Sequence, residues 1–329
     1  MSFLKEDRPY TRLNARLRRF ILLCRSLAPG LSRRLLKREV MKTMNTLMMG
    51  DLGRLWMRDR ACERTVRIYG KNDQRTDAWL TTRGKMITAS EVSKVWQTPA
   101  SRLELLEKKL DPPIRSDGQN PIPALIWGTR FEPVAKKLYE ETTNCEIIDV
   151  GCCTHPVHDF LGASPDGIII PKTEDDPFRY GRLVEFKCPM SRALKDEIPS
   201  YYIHQMQMQM ECTGIDECEY VEFRFKQVNF TEWDAITETK GVFAVDEDGK
   251  VDYKPDTVDL CQWQASLKDG NQYIYWALVN VKKNLVPKDT RWLPDHFPDL
   301  KAFWDDVLRH RKEGTRPEPL PAKTLTINI

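Results

Sequence analysis

No apolar run in this 329-residue chain approaches the length of a bilayer span: runs such as "FILLC" at 20–24 and "GIII" at 167–170 are a fraction of the roughly 20 residues a membrane helix needs. No membrane-spanning helix is therefore expected. No hydrophobic leader precedes the nine cysteines, which form no C-x-x-C pair and no even framework of a small secreted domain. That pattern points to a reducing, intracellular compartment. The nearest approach to a zinc cluster is "CCTHPVH" at 152–158, where adjacent cysteines are poorly placed to chelate one tetrahedral ion. Internal repeats are absent. A strong net charge is missing too, since 51 Lys and Arg against 48 Asp and Glu leave +3. With 41% hydrophobic and 30% charged residues, a disordered chain is excluded and the length suffices for a real core.

The balanced total hides an asymmetry. Residues 1–60 hold 15 basic and 5 acidic side chains, and the other 269 hold 36 and 43. Leu13, Leu17, Phe20 and Ile21, then Leu31, Leu35, Leu36, Val40 and Met44, predict two helices over 11–49 broken at Pro29-Gly30, with arginines on their opposite faces. A solvated helical surface and a contact to a DNA backbone both fit. Glu6 and Asp7 count against a mitochondrial transit peptide. The polar, turn-prone stretch 70–80 sets the expected boundaries: a basic helical extension over 1–76, a main domain over 77–316 and a loose Pro-rich tail over 317–329.

Within the main domain, Ser90 stands ahead of Val92, Val95 and Trp96 as the entry to a helix. Residues 111–123 read as a loop, and Trp127, Phe131, Val134, Ala135 and Leu138 share one face of a following helix. Strands are expected within "FLGASPDGIII", "RLVEFKCP" and "YVEFRFKQV", a hairpin turning at Asp248-Gly249, and a last helix over 297–312.

One strand carries an unusual pattern. In "LVEFKCP", residues 183–189, alternation sends Val184 and Phe186 to one face and Glu185 and Lys187 to the other. An exposed ion pair would explain an isolated E-x-K. Nineteen residues earlier lies Asp166, in "SPDG". If these segments pair as neighbouring strands, two carboxylates and a lysine meet at one end of a sheet. Metal-assisted phosphodiester hydrolysis needs such a set: hard divalent cations take carboxylate oxygens, water and a substrate phosphate, and a nearby lysine orients or deprotonates the attacking water.

"SPDG" followed by "EFKCP" resembles the bipartite motif of PD-(D/E)xK nucleases, and the surrounding sequence resembles their YqaJ-type viral recombinase, or lambda-exonuclease-like, branch. "RGKMITASE" at 83–91, "WGTRFEPVA" at 127–135, "HPVHDFLGASPDG" at 155–167 and "YYIHQMQMQMECTG" at 201–214 agree with it in order, so the likeness spans about 77–226. It implies an α/β restriction-endonuclease-like core, a central mixed β-sheet flanked by helices, behind the Arg-rich extension. Asp166 and Glu185 become metal ligands, with Glu132 as a third acid, and Lys187 the catalytic lysine. Thr129 could instead open a capping box with Glu132, a register that puts Pro133 in a first helical turn.

In "HQMQMQM" the resemblance favours a helix over a strand, with Gln207 turned to the site and Gln205 in reserve, while Gln205 and Gln209 share another side. It also implies that Arg83, Ser90 and Ser164 hold a terminal 5′-phosphate, although Ser90 could equally be a plain N-cap. A further acid found in some relatives is replaced by Pro156, so that Asp149, His155 or Asp159 substitutes for it or nothing does. The activity implied is a magnesium-dependent (or manganese-dependent) 5′ to 3′ exodeoxyribonuclease acting on double-stranded DNA ends for recombination or repair. The alternatives are an endonuclease using the same site and an inert DNA-binding scaffold. A single-strand annealing protein, a trimeric ring of like chains and a viral or virus-derived origin are implied with it.

Overall fold

The computed structural model describes residues 51–70, 76–111, 122–173, 177–192 and 196–320. The helices expected over 11–49, most of the 111–123 loop and the end of the tail lie outside these. In chain order the elements are α1 (Asp51–Tyr69), α2 (Asp77–Gly84), β1 (Ile87–Thr88), α3 (Lys94–Gln97), α4 (Pro99–Leu110), α5 (Pro123–Thr143), β2 (Cys145–Ile148), β3 (Cys153–Thr154), β4 (Leu161–Ala163), β5 (Gly167–Pro171) and β6 (Leu183–Lys187). There follow α6 (Ser200–Thr213), β7 (Glu217–Val228), α7 (Phe230–Ala235), β8 (Lys240–Val245), β9 (Val251–Tyr253), α8 (Leu260–Ser266), β10 (Gln272–Pro287) and α9 (Trp292–Glu313).

Seven strands form the central sheet in the order β2-β5-β6-β7-β10-β8-β9, and β1, β4 and β3 form a small second sheet. Within the large sheet only β6 and β7 run parallel, with Glu185 opposite Tyr220 and Lys187 opposite Glu222. The sheet is thus mixed, as expected. Both faces are covered, which is why β7 opens with seven consecutive buried residues instead of an apolar-polar alternation. On one face Phe131, Val134, Ala135 and Tyr139 of α5 pack on Val184, Phe186, Val221, Phe223 and Phe225. On the other, Met206, Met208 and Met210 of α6 join Leu183, Cys218 and Tyr220, backed by Leu300, Phe303 and Val307 of α9.

Two local expectations change. Helix α5 starts at Pro123, so Pro133 lies in its interior and Thr129 opens no capping box. Pro133 lacks the N–H that would bond back one turn, and the helix tolerates the loss because packing on the sheet holds it. Ser90 is no N-cap either: it sits inside a 3₁₀ turn, Ala89–Glu91, that follows β1 directly.

The first described helix belongs to the same core. Ala61 and Cys62 of α1 are buried in it, and Arg58, 3% exposed, reaches Asp216 at 2.5 Å and Glu217 at 2.8 Å. Glu217 and Glu219 also receive Arg182, and Arg179 and the Tyr139 hydroxyl bind Glu219. This end of the sheet is closed by ion pairs where its apolar surface runs out. Arg54, Arg58, Ala61 and Cys62 of α1 therefore contact the main domain, although the sequence reading placed them in the extension.

Candidate active site

The short strands place the polar residues. β1 and β4 are parallel neighbours, with Thr88 opposite Gly162, so the segments leaving them end on the same side and bring Ser90 beside Ser164. Arg83, at the end of α2, bridges them: its guanidinium donates to Ser90 Oγ at 3.0 Å, Thr88 Oγ1 at 3.3 Å and Ser164 Oγ at 3.4 Å. Trp79 lies under the guanidinium, 4.3 Å from ring centroid to Cζ, and its indole N–H donates to Ser164 Oγ at 3.1 Å. All three residues nominated for phosphate binding thus converge.

Beneath them is a cluster that sequence reasoning missed. Glu91 accepts from Thr88 Oγ1 at 2.6 Å and from Lys109 at 2.8 Å, and pairs with Lys108 at 2.5 Å. Burial alone would raise its carboxyl, yet the two lysines outweigh that and hold it at about 2. Lys109 also donates to the Arg83 carbonyl at 3.2 Å, tying the base of the cluster to the arginine above it.

From Ser164 the chain crosses into the large sheet. Asp166 follows by two residues, at most about 7 Å of chain, and its Oδ2 accepts the Phe186 N–H at 2.7 Å. Gly167, opposite Val184, keeps the two strands in register. A Cβ there would stand 2.1 Å from Ile147 Cγ2 and 3.1 Å from the Ile148 carbonyl, so only glycine fits against β2. Glu185 is 1% exposed, paired with Lys187 through its Oε1. The Lys187 ammonium also lies over the Tyr202 ring at 4.6 Å.

Helix α6 completes the grip on Glu185, but not as the resemblance suggested. Gln205 Nε2 donates to Oε1 and Gln209 Nε2 to Oε2, each at 2.6 Å. Gln207 instead points about 200° away around the helix, donating to the Pro287 carbonyl at 2.9 Å and accepting the Asp289 N–H at 2.8 Å. The reserve residue and its i+4 partner reach the site; Gln207 anchors the end of β10. Gln205→Ala and Gln209→Ala should each cost on the order of 10- to 100-fold in activity, as for partners that orient a ligating carboxylate, whereas Gln207→Ala should act mainly on thermal stability. Steady-state rates beside melting curves separate the two.

The electrostatics suit a cation. Burial raises the Asp166 carboxyl well above the usual range, and the Glu185 and Glu132 carboxylates raise it further. For Lys187, burial lowers the ammonium, while Glu185 and Asp166 overcome this and raise it. Glu132, on α5, is therefore within electrostatic reach of Asp166 as nominated. Among the described residues no three or more His, Cys, Asp or Glu side chains are placed so that they could hold a metal ion together. The buried Glu185 carboxylate and the part-buried Asp166, crowded by Glu132, are nevertheless the oxygen donors that magnesium takes alongside water and phosphate, and the donor set fits.

The substitutes for the missing acid do not converge on it. Asp149 pairs with Lys136 and is exposed, and Asp159 is exposed. His155 Nδ1 accepts the backbone N–H groups of Val157 at 3.2 Å and His158 at 3.0 Å, and burial, with His158 beside it, holds its imidazole at about 4. The neighbouring Cys152 meets Met86 Sδ, and Cys153 the Gly151 carbonyl.

Residues 78–216 match the family model described as the YqaJ-like viral recombinase domain, in agreement with the resemblance carried by the motifs. The uncharacterized protein R354 of Acanthamoeba polyphaga mimivirus is 23% identical over 303 residues, covering 75% of this chain and 55% of the relative. Protein D345L of African swine fever virus (isolate Tick/Malawi/Lil 20-1/1983) is 27% identical over 212 residues, covering 54% of this chain and 58% of the relative. The chain thus spans a little over half the length of these curated relatives. Among solved structures it is similar to an alkaline exonuclease, LHK-Exo, from Laribacter hongkongensis, at 22% identity and a TM-score of 0.45, covering 72% of this chain and 95% of that one. A phage-related exonuclease from Haemophilus somnus 129PT gives 13% identity and a TM-score of 0.41, covering 70% and 96%. No helix among the described residues is long and apolar enough to cross a membrane.

Proposed function

We propose that this chain, whose residues 78–216 match the YqaJ-like viral recombinase domain, is a metal-dependent deoxyribonuclease that shortens double-stranded DNA from its 5′ ends, leaving single strands for recombination. One observation carries the reading: the Arg83–Ser90–Ser164 cluster stands two residues of chain from Asp166, which in turn is locked to the strand of Glu185 and Lys187. An anion holder next to a carboxylate pair suits a substrate gripped by its terminal phosphate while a bond a short step inward is cut.

Asp166 and Glu185, with Glu132 beside them, would hold a magnesium or manganese ion, whose charge would stabilise the phosphodiester in its transition state and lower the pKa of water. Each protein group has a distinct part in that scheme. Gln205 and Gln209 fix the plane of the Glu185 carboxylate. Lys187, kept as an ammonium by its acidic neighbours, orients the attacking water and offsets charge on the phosphate. Arg83 sets which bond lies over the carboxylates by holding the end of the strand.

The test uses linear duplex DNA, 5′-phosphorylated and labelled in turn at each strand's ends, incubated with magnesium and either the native protein or Lys187→Ala. Stepwise release from 5′ ends by the native protein alone is the expected result. Equal cutting of closed circular DNA would replace the exonuclease by an endonuclease. DNA binding without cleavage in magnesium or manganese would leave a recombination scaffold.

A further inference from the structure

A notch beside the catalytic strand is left over by the sheet topology. β6 pairs with β7 only as far as Lys187 opposite Glu222, whereas β7 continues to Val228 against β10. For Phe223 to Val228, about 20 Å of strand, the β6 side of β7 has no strand neighbour among the described residues. Two adjoining cavities of about 220 and 390 Å³ lie over this part of β7 and the neighbouring β10, the first reaching Phe243 and Ile274 and the second Val279, and both are walled by Trp127, Met190 and Gln227. Arg130 lines the first, Arg224 and Lys226 the second.

The walls have a definite chemistry. Met190 follows Lys187 by three residues and is 51% exposed; Trp127 starts the helical turn that leads to Glu132 and leans its ring against Phe131, with centroids 4.4 Å apart at 35°. Trp127 Nε1 is buried without a hydrogen-bond partner among the described residues, a cost that an oxygen-rich ligand would relieve. Arg224 is exposed, and Lys226 shares its ammonium with exposed Glu232. The groove therefore joins one aromatic and one thioether surface to three cations, with Met190 three residues along the chain from Lys187.

We propose that this groove binds unpaired nucleotides of the DNA strand engaged at the active site, bases against Trp127 and Met190 and phosphates against Arg130, Arg224 and Lys226. Cationic side chains interleaved with an aromatic surface are the means by which single strands are held without sequence preference. Both cavities are of the size that admits one small organic group, which suits a base and excludes a duplex about 20 Å across. The inference rests on the nuclease reading, because DNA is its ligand.

Binding in EDTA separates the two. The full chain would be titrated with fluorescent short duplexes, blunt or carrying a few unpaired nucleotides on the 5′ or the 3′ strand. The native protein should bind at least one overhang about tenfold tighter than the blunt end, the effect of one stacked base. The exposed-residue variant Met190→Ala/Arg224→Ala should lose that preference and bind blunt duplex as before. Bromodeoxyuridine in the overhang should cross-link to the Trp127 peptide, a readout that needs no variant to fold. An overhang preference that persists in the variant, or cross-links that map elsewhere, would overturn the proposal. So would a native protein that ignores overhangs but binds an acidic, phenylalanine-bearing peptide through Met190 and Arg224, since the open edge of β7 would then be a protein dock. If overhang binding behaves as expected while no cleavage is found, the groove stands and the nuclease reading falls.

Discussion

Asp166→Asn should abolish detectable cleavage, a loss of at least about 100-fold given what even outer partners of a metal ligand cost, while the metal-free protein becomes more stable. The opposed signs follow from the site. Burial and two neighbouring carboxylates raise the Asp166 carboxyl, so its folded value lies above its unfolded one and the charged form opposes folding. In the metal-free protein this opposition is absent in the ordinary carboxylate range and grows as pH rises through the raised value. Asparagine still offers an oxygen to the Phe186 N–H and carries no charge. The variant should therefore melt higher than the native protein at alkaline pH, with the difference closing as pH falls. Magnesium should reverse the ranking, raising the native melting temperature and leaving the variant's unchanged. Melting curves across pH with and without magnesium test all of this; a variant less stable than the native protein in EDTA at every pH would refute the like-charge account of the site.

Arg83→Ala should remove discrimination at the DNA end. If the guanidinium holds a terminal phosphate with Ser90 and Ser164, the native protein should digest 5′-phosphorylated duplex much faster than the 5′-hydroxyl form, and the variant should treat them alike. A part-buried site built to hold one charged group rejects an analogue lacking it by about 10- to 100-fold, so the ratio of kcat/KM for the two ends should fall by that factor. Arg83→Lys should recover part of it, because the charge survives and the fork does not. The ratio is the informative quantity: a fold defect lowers both rates together. Equal rates on both ends in the native protein would mean that the cluster has another role.

The grouping of Asp166, Glu185 and Lys187 was legible because these residues are close in sequence and fixed by strand alternation. Glu185 and Lys187 need only a strand to share a face, and Asp166 needs only the neighbouring strand. What depends on the roll of a helix was not legible. The i, i+4 relation of Gln205 and Gln209 is present in the letters, but which side of α6 meets β6 is decided by how Met206, Met208 and Met210 bury against sheet and helices alike; with every residue from 205 to 210 buried, no polar face marks the direction. Ser90 looked like a cap because hydroxyls commonly are one, and only the parallel pairing of β1 with β4, over 70 residues apart, turns it toward Ser164. β10 escaped notice altogether. Its 16 residues mix exposed and buried positions without strict alternation, interrupted by a register shift between Leu278 and Asn280.

The contact between α1 and the far end of the sheet redraws the limits of the folding unit. A fragment cut at the start of the family match would strip Ala61 and Cys62 from the core and leave Asp216 and Glu217 without Arg54 and Arg58, a loss of buried partners that ordinarily destabilises strongly. The span that recognises a relative is thus shorter than the span that folds. To ask whether the basic N-terminal residues touch DNA, the cut must fall at or before Asp51: removing residues 1–70 would unseat a core helix, and weakened binding would report damage to the scaffold instead of a missing contact.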